Sequence, residues 1–212
     1  MSETPLLAIT ALTLRVAAVA TLLLLPVAVL LGFALARRSF RGKALVQALV
    51  ALPMVLPPVA VGLAILLAVS ALDWPIAFTW WGAVAAAVAV CFPLLVRGCE
   101  HAFAEVDPRY EQVARSLGLG PARSFLRVSL PLARRGVLYG ALLAFTRALG
   151  EFGATAIVAG IIPGRTETLA LGIWSRVQLG DYRAALALCI ASFALALVAM
   201  LAAEGWLRRG RA

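Results

Sequence analysis

Ala44 to Leu72 reads ALVQALVALPMVLPPVAVGLAILLAVSAL, and after Asp73-Trp74-Pro75 the chain resumes from Ile76 to Val96 as IAFTWWGAVAAAVAVCFPLLV. Neither run contains an Asp, Glu, Lys, Arg or His. The second has 21 residues, which at about 1.5 Å each make a helix of about 31 Å, against a hydrocarbon core of about 30 Å. Both runs are therefore long enough to cross a bilayer. The whole chain agrees: 63% of its 212 residues are hydrophobic and 14% charged, beyond the roughly 45–50% apolar content of a soluble domain. A soluble globule is excluded.

Working outward from these two runs, three more spans follow. The first covers Val16 to Ala36, with Arg15 at one end, Arg37, Arg38, Arg41 and Lys43 at the other, and a kink expected at Pro26. The run from Ala44 carries Pro53, Pro57 and Pro58, so it should be bent or locally unwound. A membrane tolerates that only where neighbouring helices or water satisfy the freed carbonyls. Trp80 and Trp81 read as interfacial anchors of the third span. A fourth runs from Gly136 to about Ala159, interrupted by Arg147 and Glu151, and a fifth from Ala184 to Ala203 ahead of Trp206 and the tail Arg208, Arg209, Arg211. The segment Gly160 to Arg183, with Pro163, Gly164 and mixed charges, is too interrupted to be a sixth. The expected fold class is all-α: a polytopic membrane helical bundle of five transmembrane helices, forming a single domain over residues 1–212.

The net charge of +9 does not point to nucleic acid, because of where the charges sit. Of 19 basic residues, four lie in Arg37–Lys43, seven in Arg97–Arg135 and three in Arg208–Arg211, all between or after apolar runs. That is the positive-inside pattern. It places the Arg97–Arg135 loop and the C-terminus in the cytoplasm and, with five spans, the N-terminus outside. Met1 to Leu14 contains no basic residue, so a cleaved secretory leader is not expected. Cys91, Cys99 and Cys189 sit in or beside spans and form no disulfide framework or metal cluster.

Enzyme classes find no support. A phosphate-cradling loop needs G-x-x-x-x-G-K-[ST], but the one lysine, Lys43, has Ala44 after it and Arg37 where the first glycine belongs. Any ATP must be handled by a partner. His101 has no Cys or His at ligand spacing, and no nucleophile, base and orienter come together in the sequence. No catalytic residue, metal site or cofactor is assigned to this chain.

The polar loop is more informative. It reads Glu111-Gln112-Val113-Ala114-Arg115-Ser116-Leu117-Gly118, then nine residues, then Val128-Ser129-Leu130-Pro131. A helix should start after Asp107-Pro108, break at Gly118 and Gly120, and give way to a second helix from Pro121 that runs into Pro131. A short amphipathic helix held by a glycine corner is suited to docking; the alternative is a basic helix lying on anionic membrane lipid.

This pattern resembles the cytoplasmic E-A-A-x-x-x-G-x(9)-I-x-L-P loop of ABC importer permeases, with Gly118, Val128, Leu130 and Pro131 in register. Gln112 takes the Glu position, Val113 and Ala114 the two Ala positions, and Glu111 stands one place early. The likeness extends to Leu52-Pro53-Met54-Val55-Leu56-Pro57-Pro58, to Phe78-Thr79-Trp80-Trp81-Gly82-Ala83-Val84, to Phe92–Arg97 and to Arg147–Thr155, which resemble the molybdate importer permeases. Gly150-Glu151-Phe152-Gly153 is shared with sulfate and thiosulfate permeases; Ile162–Thr168 and the short chain favour molybdate.

The resemblance implies a type I ABC importer permease fold in the cytoplasmic (inner) membrane, with a coupling loop at about 101–135. It implies a homodimer joined to two ABC ATPase subunits, which would carry ATP and Mg2+, and fed by an extracytoplasmic molybdate-binding protein. Sulfate, thiosulfate or tungstate remain alternative cargoes. An ion-gradient secondary transporter or a membrane scaffold remain alternatives of another class.

Pro57, Pro58, Arg147 and Glu151 are candidates for the pathway or its gating. Ionisable residues inside a span default to function, and the two four apart are natural partners; the alternative is a structural ion pair. Arg165, Thr166 and Thr168 are candidates for an outer mouth, or belong to an ordinary solvated loop.

Overall fold

The computed structural model describes residues 6–208. Arg209 and Arg211 of the basic tail therefore lie outside the described residues. The helices are α1 (Leu6–Arg37), α2 (Lys43–Val55), α3 (Pro58–Ala71), α4 (Trp80–Ala104), α5 (Arg109–Ser116), α6 (Pro121–Ser124), α7 (Leu130–Leu149), α8 (Gly153–Val158), α9 (Leu169–Gln178) and α10 (Tyr182–Arg208), with a π-helical segment, Phe125–Ser129, between α6 and α7. Among the described residues four helices are long and apolar enough to cross a membrane, and α2 with α3, bent by 108°, makes a fifth when the pair is counted as one broken span.

α1, α4 and α7 pack against one another as the core. Small residues let them approach closely. Gly98 and Ala102 on α4 face Gly140 and Gly136 on α7: a Cβ at Gly98 would lie 3.0 Å from Gly140 Cα, and one at Gly136 only 2.6 Å from Ala102 Cβ. Among lipid tails no hydrophobic force drives helices together, so close backbone packing at small residues takes its place. α10 packs on α9 and α7, while most of its surface stays exposed.

Several span boundaries differ from those expected. α1 starts ten residues before Val16, because Leu6 to Arg15 holds no Pro or Gly and the Thr10 and Thr13 hydroxyls bond back to Leu6 O and Ile9 O, four residues earlier. The helix is continuous through Pro26. α4 passes Val96 and carries Arg97 and Glu100, paired three apart at 2.9 Å, inside its length.

The fourth span begins well before Gly136. Pro131 does not end the second loop helix, which runs without interruption from Pro121 to Leu149. A proline lacks the N–H that would bond four residues back; the π turn, in which Leu130 N bonds Phe125 O, loosens the ladder where that donor is missing. The span also stops early, at Leu149, and α8 completes it after a break at 150–152. Finally, the expected outer loop contains the ten-residue α9.

Candidate functional site

At the basic end of the bundle the polar loop folds as a corner. Asp107 Oδ1 accepts from Arg109 N at 2.8 Å and opens α5. Gly118, at φ +84°, closes it: Gly118 N bonds Arg115 O and Leu119 N bonds Ala114 O, at 3.0 and 3.1 Å. This is the paired carbonyl capture that ends a helix on a left-handed glycine.

The corner is fixed to the bundle by Glu111. Its Oε1 accepts from Arg37 Nε at 2.7 Å and from Ser129 Oγ at 2.9 Å, while Arg37 Nη2 donates to Val106 O at 2.8 Å. One carboxylate thus joins the end of α1, the start of α5 and the π segment leading into α7.

Spacing explains what remains outside. Glu111 and Ala114, three apart, face inward and are buried, so Gln112, Val113 and Arg115 are left exposed. Ala114 and Val128 floor an apolar hollow of about 580 Å³ walled by Tyr110, Val113, Leu117 and Leu119. Leu130 and Pro131 open α7 behind it.

The second locus lies at mid-depth. α4 and α7 run antiparallel, with Cys91 Sγ donating to Ala144 O at 3.1 Å, so Arg147 stands level with the middle of α4. Two spans break here. α2 ends at Val55, Leu56 and Pro57 turn the chain, and α3 starts at Pro58. The prolines at 53, 57 and 58 leave Leu49 O, Pro53 O and Met54 O without a donor four residues on. α7 ends at Leu149, and α8 starts at Gly153 against Pro58, where a Cβ would come within 2.8 Å of Pro58 Cβ.

Arg147 and Glu151 are paired at 2.9 Å, although Glu151 lies beyond the end of α7 rather than on it. The carboxylate also accepts from Ala154 N at 3.0 Å through Oε1, so it caps α8 as well. The guanidinium is 39% exposed above a carboxylate 3% exposed. It lines a cavity of about 150 Å³ with Pro53, Met54, Leu56, Pro58, Val90 and Leu94. Pro58 is thus brought to Arg147, while Pro57 sits in the exposed turn before it.

The expected outer mouth is corrected in part. Arg165 is exposed, but Thr166 and Thr168 are buried. Thr166 Oγ1 donates to Gly160 O at 2.9 Å and accepts from Ile162 N at 3.0 Å, so its hydroxyl closes its own loop instead of facing outward. Thr168 begins α9, whose Leu169 N is taken by Thr13 Oγ1 of α1 at 2.8 Å.

Sequence reasoning passed over Glu167, buried and ion-paired with Arg176. It also missed the joining of Arg97, Glu100 and Gln47, and the role of Arg37. Glu167 carried a usable signal, an acid flanked by two threonines ahead of an apolar helix. The contacts of Arg37 carried none, since 74 residues separate it from Glu111.

Residues 28–210 match the family described as "Binding-protein-dependent transport system inner membrane component". The chain belongs to this family. As a member it is a multi-pass transport component of the inner membrane. It is 41% identical to the molybdenum transport system permease protein ModB of Escherichia coli K12, across 93% of this chain and 91% of that one. It is 38% identical to the putative molybdenum transport system permease protein YvgM of Bacillus subtilis, across 80% of each. The sulfate transport system permease protein CysT of Escherichia coli K12 is 37% identical, but only 63% of its length is covered. Among solved structures, the permease fold recurs in an inward-facing MetNI methionine ABC transporter, at TM-score 0.79 and 17% identity over 99% of both chains.

Proposed function

We propose that this chain is the membrane permease of an ATP-driven molybdate importer. The whole of residues 1–212 works as one permease domain, paired with a second copy. The loop at about 101–135 couples it to two ATPase subunits, which hold ATP and Mg2+, and an extracytoplasmic molybdate-binding protein delivers the anion. The basic end of the bundle faces the cytoplasm and the N-terminus lies outside.

The observation that carries this reading is Arg147, half-open at mid-depth beside two broken spans, in a chain 41% identical to a molybdenum permease along nearly its full length. A charged side chain facing lipid at that depth is costly, so its open side calls for water or protein. A second copy across that face encloses a polar path, and spans broken beside a path suit a polar cargo. Molybdate is favoured over sulfate because the molybdenum permease of Escherichia coli matches at higher identity and over far more of its length than the sulfate permease, 41% across 91% against 37% across 63%.

The exposed Gln112, Val113 and Arg115 and the apolar hollow beside them form the surface offered to the ATPase. ATP-driven closure of two such subunits would push on α5, and Glu111 passes the motion to α1 and α7 together.

Association and orientation are tested together. Purified with its ATPase, the chain should give a mass of two permeases and two ATPases; a single permease without ATPase would reject the assembly. A cysteine at Ser39 should be shielded from an impermeant thiol reagent in intact cells and one at Arg165 should react, each with Cys189 changed to Ser. The reverse pattern would invert the orientation.

A further inference from the structure

The arrangement at Arg147 has a counterpart nearer the basic end. Arg97 Nη1 on α4 donates to Glu100 Oε2 at 2.9 Å, and its Nη2 donates to Gln47 O on α2 at 3.3 Å. Gln47 Nε2 donates to Glu100 Oε1 at 2.6 Å. The Arg97 side chain is 41% exposed and that of Glu100 only 14%, the same asymmetry as at Arg147 and Glu151: an open guanidinium over a shielded carboxylate. Val90, Leu94 and Arg97 stand at i, i+4 and i+7 and so form one stripe of α4. The first two line the cavity that holds Arg147. The three-residue step from Leu94 to Arg97 is a rise of about 4.5 Å, so Arg97 stands on the same stripe of α4, one step beyond the cavity that holds Arg147 and toward the basic end, where α2 packs on α4.

We infer that Arg147 and Arg97 are two successive contact points for a tetrahedral oxyanion passing along this stripe of α4; the inference rests on the reading of the chain as an oxyanion permease. A guanidinium presents a planar fork of donors that matches an oxyanion's oxygens. A lone cation in a low-dielectric span would hold a dianion too firmly for passage. The paired carboxylate cancels most of that charge and leaves the donors. Both carboxylates are separately anchored, Glu151 by Ala154 N and Glu100 by Gln47 Nε2, so each keeps its place when its arginine turns toward the anion. Two such stations make a path of weak, repeated contacts rather than a trap.

The test uses proteoliposomes holding the permease with its ATPase, supplied with the binding protein and labelled molybdate. Arg147→Gln/Glu151→Gln removes both charges and leaves an amide oxygen to accept from Ala154 N; Arg97→Gln/Glu100→Gln does the same at the second level. If the pairs were only structural, neutral polar pairs would sustain uptake. As anion contacts, each double variant should lose about tenfold or more of maximal uptake, the scale of one charge-assisted hydrogen bond, while ATPase co-purification persists.

A second readout is protection. With Cys189→Ser, and Cys91 and Cys99 left buried, a cysteine placed by Met54→Cys on the cavity wall should be alkylated more slowly in saturating molybdate. That protection should vanish with Arg147→Gln/Glu151→Gln. Wild-type uptake in both double variants, or alkylation indifferent to molybdate while the unmodified permease imports it, overturns the inference and leaves the importer reading standing. Failure of the unmodified permease to import molybdate would instead remove the reading itself.

Discussion

The ion pairs Arg37–Glu111 at the glycine corner and Arg147–Glu151 at the helix breaks share one chemistry and almost one length, 2.7 and 2.9 Å. Their exposure differs. At the corner both side chains are shielded, 12% and 8% exposed; at mid-depth the carboxylate is buried and the guanidinium is open. A pair shielded on both sides, with Ser129 and Val106 O taking up further hydrogen-bonding groups, offers a ligand little access and acts as a fixed joint. A pair open on its cationic side keeps donors available. Identical residue types thus make a shielded structural joint at one site and an open pair, proposed as an anion contact, at the other, and the packing around them makes the difference.

The largest effect should come from breaking the sealed pair. Glu111→Ala strands Arg37 in a shielded position, and removing one partner of a buried pair costs about 3–5 kcal/mol. Glu151→Ala leaves an arginine that water can reach, so its cost should be smaller, about 1–3 kcal/mol including the lost cap on α8. Thermal unfolding of the two purified variants in detergent checks the order; equal losses would erase the distinction between the two pairs.

Next in size is the glycine corner. Gly118 sits at φ +84° with open space around its Cα, so Gly118→Val meets no clash and its cost is conformational, about 1–2 kcal/mol for a left-handed β-branched residue. The variant should remain in the membrane and lose ATPase association in pull-downs. Retained association would mean that the turn geometry does not position α5.

The smallest effects should separate the two loop threonines. Thr166→Val removes a hydroxyl serving both Gly160 O and Ile162 N in a part-buried loop, at about 0.5–1.5 kcal/mol. Thr168 Oγ1 is buried without a hydrogen-bond partner among the described residues, so Thr168→Val should fall within about 0.5 kcal/mol, because no bond is lost. Unfolding curves of the pair decide it.

What the sequence made legible followed its locality. Length and apolarity located the spans, Pro57 and Pro58 marked the break in the second, and the spacing from Gly118 to Leu130-Pro131 located the corner. Contacts between distant segments were not legible. Nothing near Arg37 indicates that it turns inward to Glu111 rather than toward water, since a basic residue after an apolar run reads first as a topology signal. Pro131 read as a boundary because proline usually ends a helix, and the π turn that accommodates it has no sequence signature. Thr166 and Thr168 read as surface because polar residues between spans usually are; their burial arises from the docking of α9 against Thr13. The Arg147–Glu151 pair was legible from its spacing, but not the end of α7 between its members or the cap it supplies to α8.

The most direct measurement is accumulation of labelled molybdate in proteoliposomes with ATP and the ATPase face inside and the binding protein outside. Accumulation should require all three components, molybdate and tungstate should compete, and sulfate should be excluded at the binding-protein step. Glu151→Gln should slow uptake without changing which anion is carried. Accumulation driven by an ion gradient without ATP, or a switch from molybdate to sulfate preference in Glu151→Gln, would contradict the account.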